Sequence, residues 1–208
     1  MSLIVAAPPD PPHWQDLVSA APYVGLDWFG FANNWPLLHR FRARYRLAHV
    51  CTGLKTSGYG STTASGYDAL TRSFLSWSLF ELYLKLGSIK GAPTVAALLV
   101  AHGAQGLLDR IKNVPAYEKF FGTVEENLDS RKHREAVAKF RAGRSCDPGT
   151  VLGSVRHVFA HGFLTPNAGG IAPTDATTIC NEMTDFLLRL VDAAWKKKIE
   201  GGFADLHP

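Results

Sequence analysis

Tyr67-Asp68-Ala69-Leu70-Thr71-Arg72-Ser73-Phe74-Leu75-Ser76-Trp77-Ser78-Leu79-Phe80-Glu81-Leu82-Tyr83-Leu84-Lys85-Leu86 is the stretch whose reading decides the fold. It belongs to a run from about Ser65 to Leu86 that contains no proline and stops at Gly87. Apolar side chains recur at helical spacing on nearly every side of it, which places the helix in the middle of a bundle or at an interface between copies. Arg72 and Glu81 are the two charges that stand out within it, and nine residues apart they do not pair along one helix. A carboxylate in so apolar a run needs a partner if it is buried. Two readings of Glu81 stand: a structural ion pair, or a brace for an arginine or histidine of a site.

Toward the N-terminus, Asn34 and Pro36 open a preceding helix that runs to about Cys51, with Leu37, Phe41, Tyr45 and Ala48 as its buried stripe. Arg40, Arg42, Arg44 and Arg46 point in several directions around it. They are either a solvated surface or a surface that contacts phosphates, in which case binding falls with added salt. Residues 1–33 are Pro-rich and then aromatic, and carry three acids with no Lys or Arg. They predict an irregular arm, with a short helix near Trp14 to Ser19, whose acids lie over a basic surface of the body. The loop from Thr52 to Thr63 has a Gly-x-Lys-Thr flavour but lacks the spacing and the preceding strand of a phosphate-binding loop.

Toward the C-terminus, short helices are expected over Pro93 to Ala101 and Gln105 to Val114, with a further turn from Pro115 to Phe121. Residues 123–142 read as charged helix in two pieces split near Asp129-Ser130. Asp147-Pro148 then caps a helix ending at Gly162, with Val151, Leu152, Val155, Val158 and Phe159 on its buried side. A loop covers Thr165 to Pro173, and the last helix carries Ile179, Met183, Phe186, Leu187, Leu190, Val191, Ala194 and Trp195 at spacings of three and four. Lys196-Lys197-Lys198 closes it, as the helix dipole favours, or contacts nucleic acid. No segment reads as a strand, so the expected class is all-α: an arm over 1–33, a helical domain over 34–199 and a tail over 200–208.

Arg156-His157-Val158-Phe159-Ala160-His161-Gly162 is the functional candidate. Three cation-capable side chains stand near a helix end beside a strong apolar stripe, a composition suited to a phosphate. His157 and His161 share a face, whereas Arg156 and His161 are about 140° apart around the axis. Arg156 and His161 cooperate if the helix frays at Gly162, or if two copies meet across a symmetry axis. Two histidines alone do not make a metal site, because a third ligand and the H-E-x-x-H pattern are missing. No metal and no cofactor is expected.

The pattern Arg156-x4-His161, with polar His157 after the arginine and Gly162 after the histidine, resembles the R-x4–6-H signature of the HEPN superfamily. The resemblance covers roughly residues 34–199, and its specific part is the six-residue motif. It implies an α-helical bundle, a homodimer whose two motifs form one composite site, and metal-independent RNA cleavage. Many members of that superfamily belong to toxin–antitoxin or antiviral defence systems, so an antitoxin or defence partner is also implied. One toxin branch continues the motif as His-x-Tyr and has that tyrosine modified; Phe163 stands in its place here, which argues against that regulation.

The chemistry is sensible on its own terms. Metal-free RNA cleavage needs a base for the 2′-hydroxyl and a cation for charge growing on phosphorus oxygens. An imidazole suits the first role and the planar guanidinium fork the second. His161 is then the base or acid, Arg156 the charge stabiliser, and His157 orients the phosphate or moves the second proton. Glu81 and Arg72 are candidate supports. The alternative is a non-catalytic HEPN-like protein that binds RNA or acts as a scaffold.

The whole chain agrees with these readings. It has 208 residues, 46% hydrophobic and 19% charged, and a formal net charge of +4, which permits a polyanionic partner without demanding one. Cys51, Cys146 and Cys180 are odd in number and widely spaced, which suggests free thiols in a reducing compartment. No apolar run reaches membrane-spanning length and the first residues lack a secretory pattern, so the expected setting is cytoplasmic, with no membrane partner.

Overall fold

A computed structural model describes residues 7–52, 54 and 57–206. The first six residues of the arm, Gly53, Lys55 and Thr56 of the Gly-rich loop, and the final His207 and Pro208 of the expected tail lie outside the described residues. All regular structure among the described residues is helical: α1 (Trp14–Val24), α2 (Trp35–Val50), α3 (Ser61–Leu86), α4 (Ala92–Ala101), α5 (Ala104–Lys112), α6 (Tyr117–Glu126), α7 (Arg131–Arg141), α8 (Pro148–Ala160) and α9 (Pro173–Leu206), with 3-10 turns at Asp27–Phe29 and Ala168–Gly170. The all-α expectation holds.

The apolar helix that decided the fold is α3, and α9 runs along it as its main partner. Buried Ala69, Leu70, Leu79, Phe80 and Tyr83 of α3 and Ile179, Met183, Leu187, Leu190, Val191 and Trp195 of α9 belong to one continuous core. α2 packs on α3, while α4 to α8 form a second cluster that reaches α3 through α8 and α9 through α5 and α6. The Asp147 cap expected from sequence is in place, and Asn34, near which α2 was expected to start, caps that helix. Asn34 Oδ1 accepts the Leu37 N–H at 2.9 Å, and Asp147 Oδ1 accepts the Gly149 N–H at 3.0 Å.

Several boundaries differ from the sequence reading. α3 begins four residues earlier, at Ser61, and the expected turn at Pro115 to Phe121 is mostly the start of α6. α9 does not end at the three lysines but continues to Leu206, so residues 200–206 are helix rather than tail. Tertiary contact overrides the two glycines there. The Trp28 indole donates to the Gly202 carbonyl at 2.9 Å, and the Phe29 and Phe203 rings meet at 5.1 Å. Without the helix end, the dipole account of the lysines lapses. Lys198 instead donates to the Gly30 carbonyl at 2.9 Å and lies over the Phe31 ring.

The arm is also more regular than expected, with α1 running five residues past the short helix read near Trp14 to Ser19. Its docking is centred on Trp195, one of the largest fully buried side chains. Trp195 stacks on Phe41 at 4.7 Å, Phe31 at 4.9 Å and Trp14 at 6.3 Å, and its indole donates to the Pro12 carbonyl at 2.7 Å. An acid of the arm does lie over basic residues of α2. Asp10 accepts from Arg42 at 2.6 and 2.7 Å and from Arg46 at 2.7 and 3.0 Å.

The Arg42 hydrogen bonds, helped by those of Arg46 and opposed by partial burial, hold the Asp10 carboxyl well below the usual carboxylate range. A carboxyl depressed on folding contributes stability that is present above its unfolded value near 4 and is lost as pH falls toward the folded value. Asp10→Asn should therefore lower stability by about 1–2 kcal/mol at neutral pH, allowing for solvent screening. The wild-type advantage in urea unfolding should fade below about pH 4. An equal difference at pH 7 and pH 2 would remove the ion-pair account.

Candidate active site

α8 carries the functional motif and α3 receives it. Gly153 lets the two helices approach: a Cβ there would meet the Trp77 ring at 3.0 Å. One turn further along α8, the half-exposed Arg156 reaches back to α3. Its Nη2 lies 3.5 Å from Glu81 Oε2, and its guanidinium carbon lies 5.6 Å from the Phe74 ring centroid. The pairing is at the outer limit of a hydrogen bond, so Arg156 is restrained rather than locked. The other Glu81 oxygen accepts the Trp77 indole N–H at 2.9 Å. Trp77, itself buried, thereby fixes the carboxylate that faces the arginine.

α8 ends in a Schellman closure. The Phe163 N–H bonds to the Val158 carbonyl at 3.2 Å and the Gly162 N–H to the Phe159 carbonyl at 2.9 Å. This requires a left-handed residue, supplied by Gly162 at φ 79°. The helix therefore terminates cleanly instead of fraying, and His161 stands exposed at its tip. The His157 and His161 rings are 4.5 Å apart, as their shared face predicted.

The structure adds a residue that sequence reasoning missed. His133 of α7 lies nearly parallel to His157, with ring centroids 6.4 Å apart. Its Nδ1 is 2.9 Å from Ser130 Oγ, and its Nε2 has no hydrogen-bond partner among the described residues. Burial first, and then charge on His157 and Lys132, push the His133 pKa below the ordinary histidine value. Its only sequence-level signal was a histidine in an otherwise charged, solvated helix, which does not distinguish it from surface. Arg156, His157, His133, Glu81, Trp77 and Asp147 border one open cleft of about 260 Å³.

The remaining candidates divide. Arg72 does not join the cleft; its guanidinium is 3.3 Å from Asn181 Oδ1 on α9. Arg42 and Arg46 are engaged by Asp10, as described above. Arg40 and Arg44 face a separate groove between α2 and α3, of about 540 Å³, which also borders Glu81. No group of three or more His, Cys, Asp or Glu side chains among the described residues has the arrangement of a metal site. All three cysteines are free, and no described helix is long and apolar enough to cross a membrane.

Comparison with models of known families, with curated proteins and with solved structures finds no match to this chain.

Proposed function

We propose that the chain is a metal-independent endoribonuclease of the HEPN type. The observation that carries this reading is the convergence of a restrained but unlocked arginine and two histidines on one open cleft, with His161 in ring contact beside it. Arginine and histidine are the pair required when no metal supplies charge. In the proposed step, an imidazole of the His157–His161 pair takes the 2′-hydroxyl proton as the 2′-oxygen bonds to phosphorus. The phosphorus–5′-oxygen bond breaks, and a second imidazole protonates the departing oxygen. Arg156 holds the negative charge on the non-bridging oxygens. His133, held toward its neutral form, is a further proton carrier in the same cleft. The products are a 2′,3′-cyclic phosphate and a 5′-hydroxyl.

The working form in this reading is a homodimer in which two α8 tips share one site. Supporting it, Phe163 is 60% exposed beside His161, and Phe74 and Phe159 are only partly buried near Arg156. An apolar surface around a polar centre is the anatomy of an interface. An antitoxin or defence-system partner fits the same reading. The second reading, a non-cleaving RNA-binding or scaffold protein, is favoured by Glu81, which offsets the charge of Arg156.

One experiment separates the two. Wild-type protein is incubated with mixed RNA in EDTA and the product ends are analysed, alongside light scattering of the free protein. Cleavage that survives chelation and leaves cyclic phosphate is expected, from a particle of two chains. Intact RNA from pure, folded protein would overturn the nuclease reading, and a mass of one chain at micromolar concentration would overturn the shared site.

A further inference from the structure

α3 has buried residues on every turn from Gly66 onward, and its C-terminal half also carries a more open strip: Ser78, Glu81, Leu82 and Lys85. These positions are spaced three and four apart, so they share a face. α2 presents a matching strip of Arg40, Ala43, Arg44 and Leu47 at the same spacing. The two strips are the walls of the groove between α2 and α3, whose volume is about twice that of the catalytic cleft. Its cations are uncommitted: among the described residues Arg40, Arg44 and Lys85 form no ion pair, in contrast to Arg42 and Arg46, two positions from Arg40 and Arg44 on α2.

Glu81, the acid in the groove's lining, is turned toward Arg156, 3.5 Å away, and accepts the Trp77 indole N–H. Glu81 borders both cavities, so the groove adjoins the cleft that holds Arg156, His157 and His133. Leu47, 45% exposed, and Leu82 give the groove an apolar side as well. Cations that neutralise backbone phosphates are the sequence-independent element of a single-strand binding track, and here Leu47 and Leu82, rather than stacking aromatics, offer apolar contact to bases.

We propose that the α2–α3 groove is a subsite for single-stranded RNA, with Arg40, Arg44 and Lys85 holding phosphates that flank the scissile one. The assignment rests on the nuclease reading for its polarity toward the cleft, but the binding itself does not require cleavage. A second copy of the chain is a poorer occupant, because a two-fold contact there would set these cations against their equivalents.

The test uses a labelled 2′-O-methyl RNA 12-mer, which lacks the attacking hydroxyl, and measures affinity by fluorescence anisotropy across a salt series. The variants are Arg40→Ala with Lys85→Ala, Leu47→Asp, and Lys119→Ala on α6 as a control that borders neither cavity. The double variant should bind about tenfold or more weaker at low salt, and its log–log salt slope should flatten by roughly 1.4, two single-strand contacts at about 0.7 each. Leu47→Asp should weaken binding and Lys119→Ala should leave it unchanged. An unaltered slope in the double variant, or a wild type that cleaves RNA yet ignores the analogue, would overturn the subsite and leave the nuclease reading standing. Groove-dependent binding without cleavage of natural RNA would keep the subsite and remove the nuclease. If the groove variants instead turn a dimer into monomers, the groove is a contact between copies and the subsite is overturned.

Discussion

Arg156→Ala is expected to lower metal-free RNA cleavage by about 10²–10³-fold, the usual cost of deleting one preorganised charge donor. The loss should fall on kcat more than on KM, because in the proposed reaction the charge that Arg156 would answer grows only as the phosphorane forms. Half-exposed Arg156 has one ion pair at 3.5 Å, so the variant should fold normally, and its circular dichroism and urea midpoint should stay close to wild type. Arg156→Lys keeps the charge but not the planar fork and should recover only part of the rate. Glu81→Gln is the informative companion. Its carboxamide oxygen can still accept the Trp77 indole, so the variant loses the ion pair while the tryptophan stays in place. As a positioning residue, Glu81 should affect kcat by about tenfold without weakening RNA binding. If Arg156→Ala cleaves RNA as fast as wild type, the guanidinium has no part in the reaction and the mechanism fails.

The second large effect concerns the body of the molecule. Trp195→Ala should destabilise the fold by about 3–5 kcal/mol, as deletion of a fully buried aromatic does, and lower the melting temperature by roughly 10 °C. Three ring partners lose their contact at once, and the Pro12 carbonyl loses its donor. Trp195→Phe separates these contributions, since it keeps most of the ring packing and removes the hydrogen bond, worth about 1 kcal/mol. Proteolysis gives the spatial readout: in the alanine variant, cuts should appear first within residues 7–33. A change below about 1 kcal/mol would mean that the arm and α9 are not joined through this ring.

The all-α class was legible because period and punctuation agreed: the apolar run of α3, the helix start near Asn34, the cap at Asp147, and the Gly162 stop are local signals, and all of them appear as read. What sequence misjudged is what distant contact decides. Glycines at 201 and 202 suggest an ending, but Trp28 and Phe29 carry α9 across them. The four arginines of α2 look equivalent in a string, yet Asp10, about thirty residues earlier, takes two and leaves two. The candidate site was legible where it is contiguous, at Arg156, His157 and His161, and Glu81 was visible as a charge out of place. Arg72 drew notice for the same reason but serves Asn181. His133 could not be found, since only the packing of α7 on α8 turns a surface histidine into a neighbour of His157.

The indole of Trp195 meets the Pro12 carbonyl across 183 residues of sequence. A ribosome releases Pro12 and Trp14 early, long before their ring partner is made. Until α9 emerges these residues have only α2 to lean on, through Asp10 and through His39 and Arg42 against Trp14, and the face of Trp14 that Trp195 covers stays open. Docking of the leading segment is thus a late event in biogenesis, and that interval is when the nascent chain most needs a chaperone.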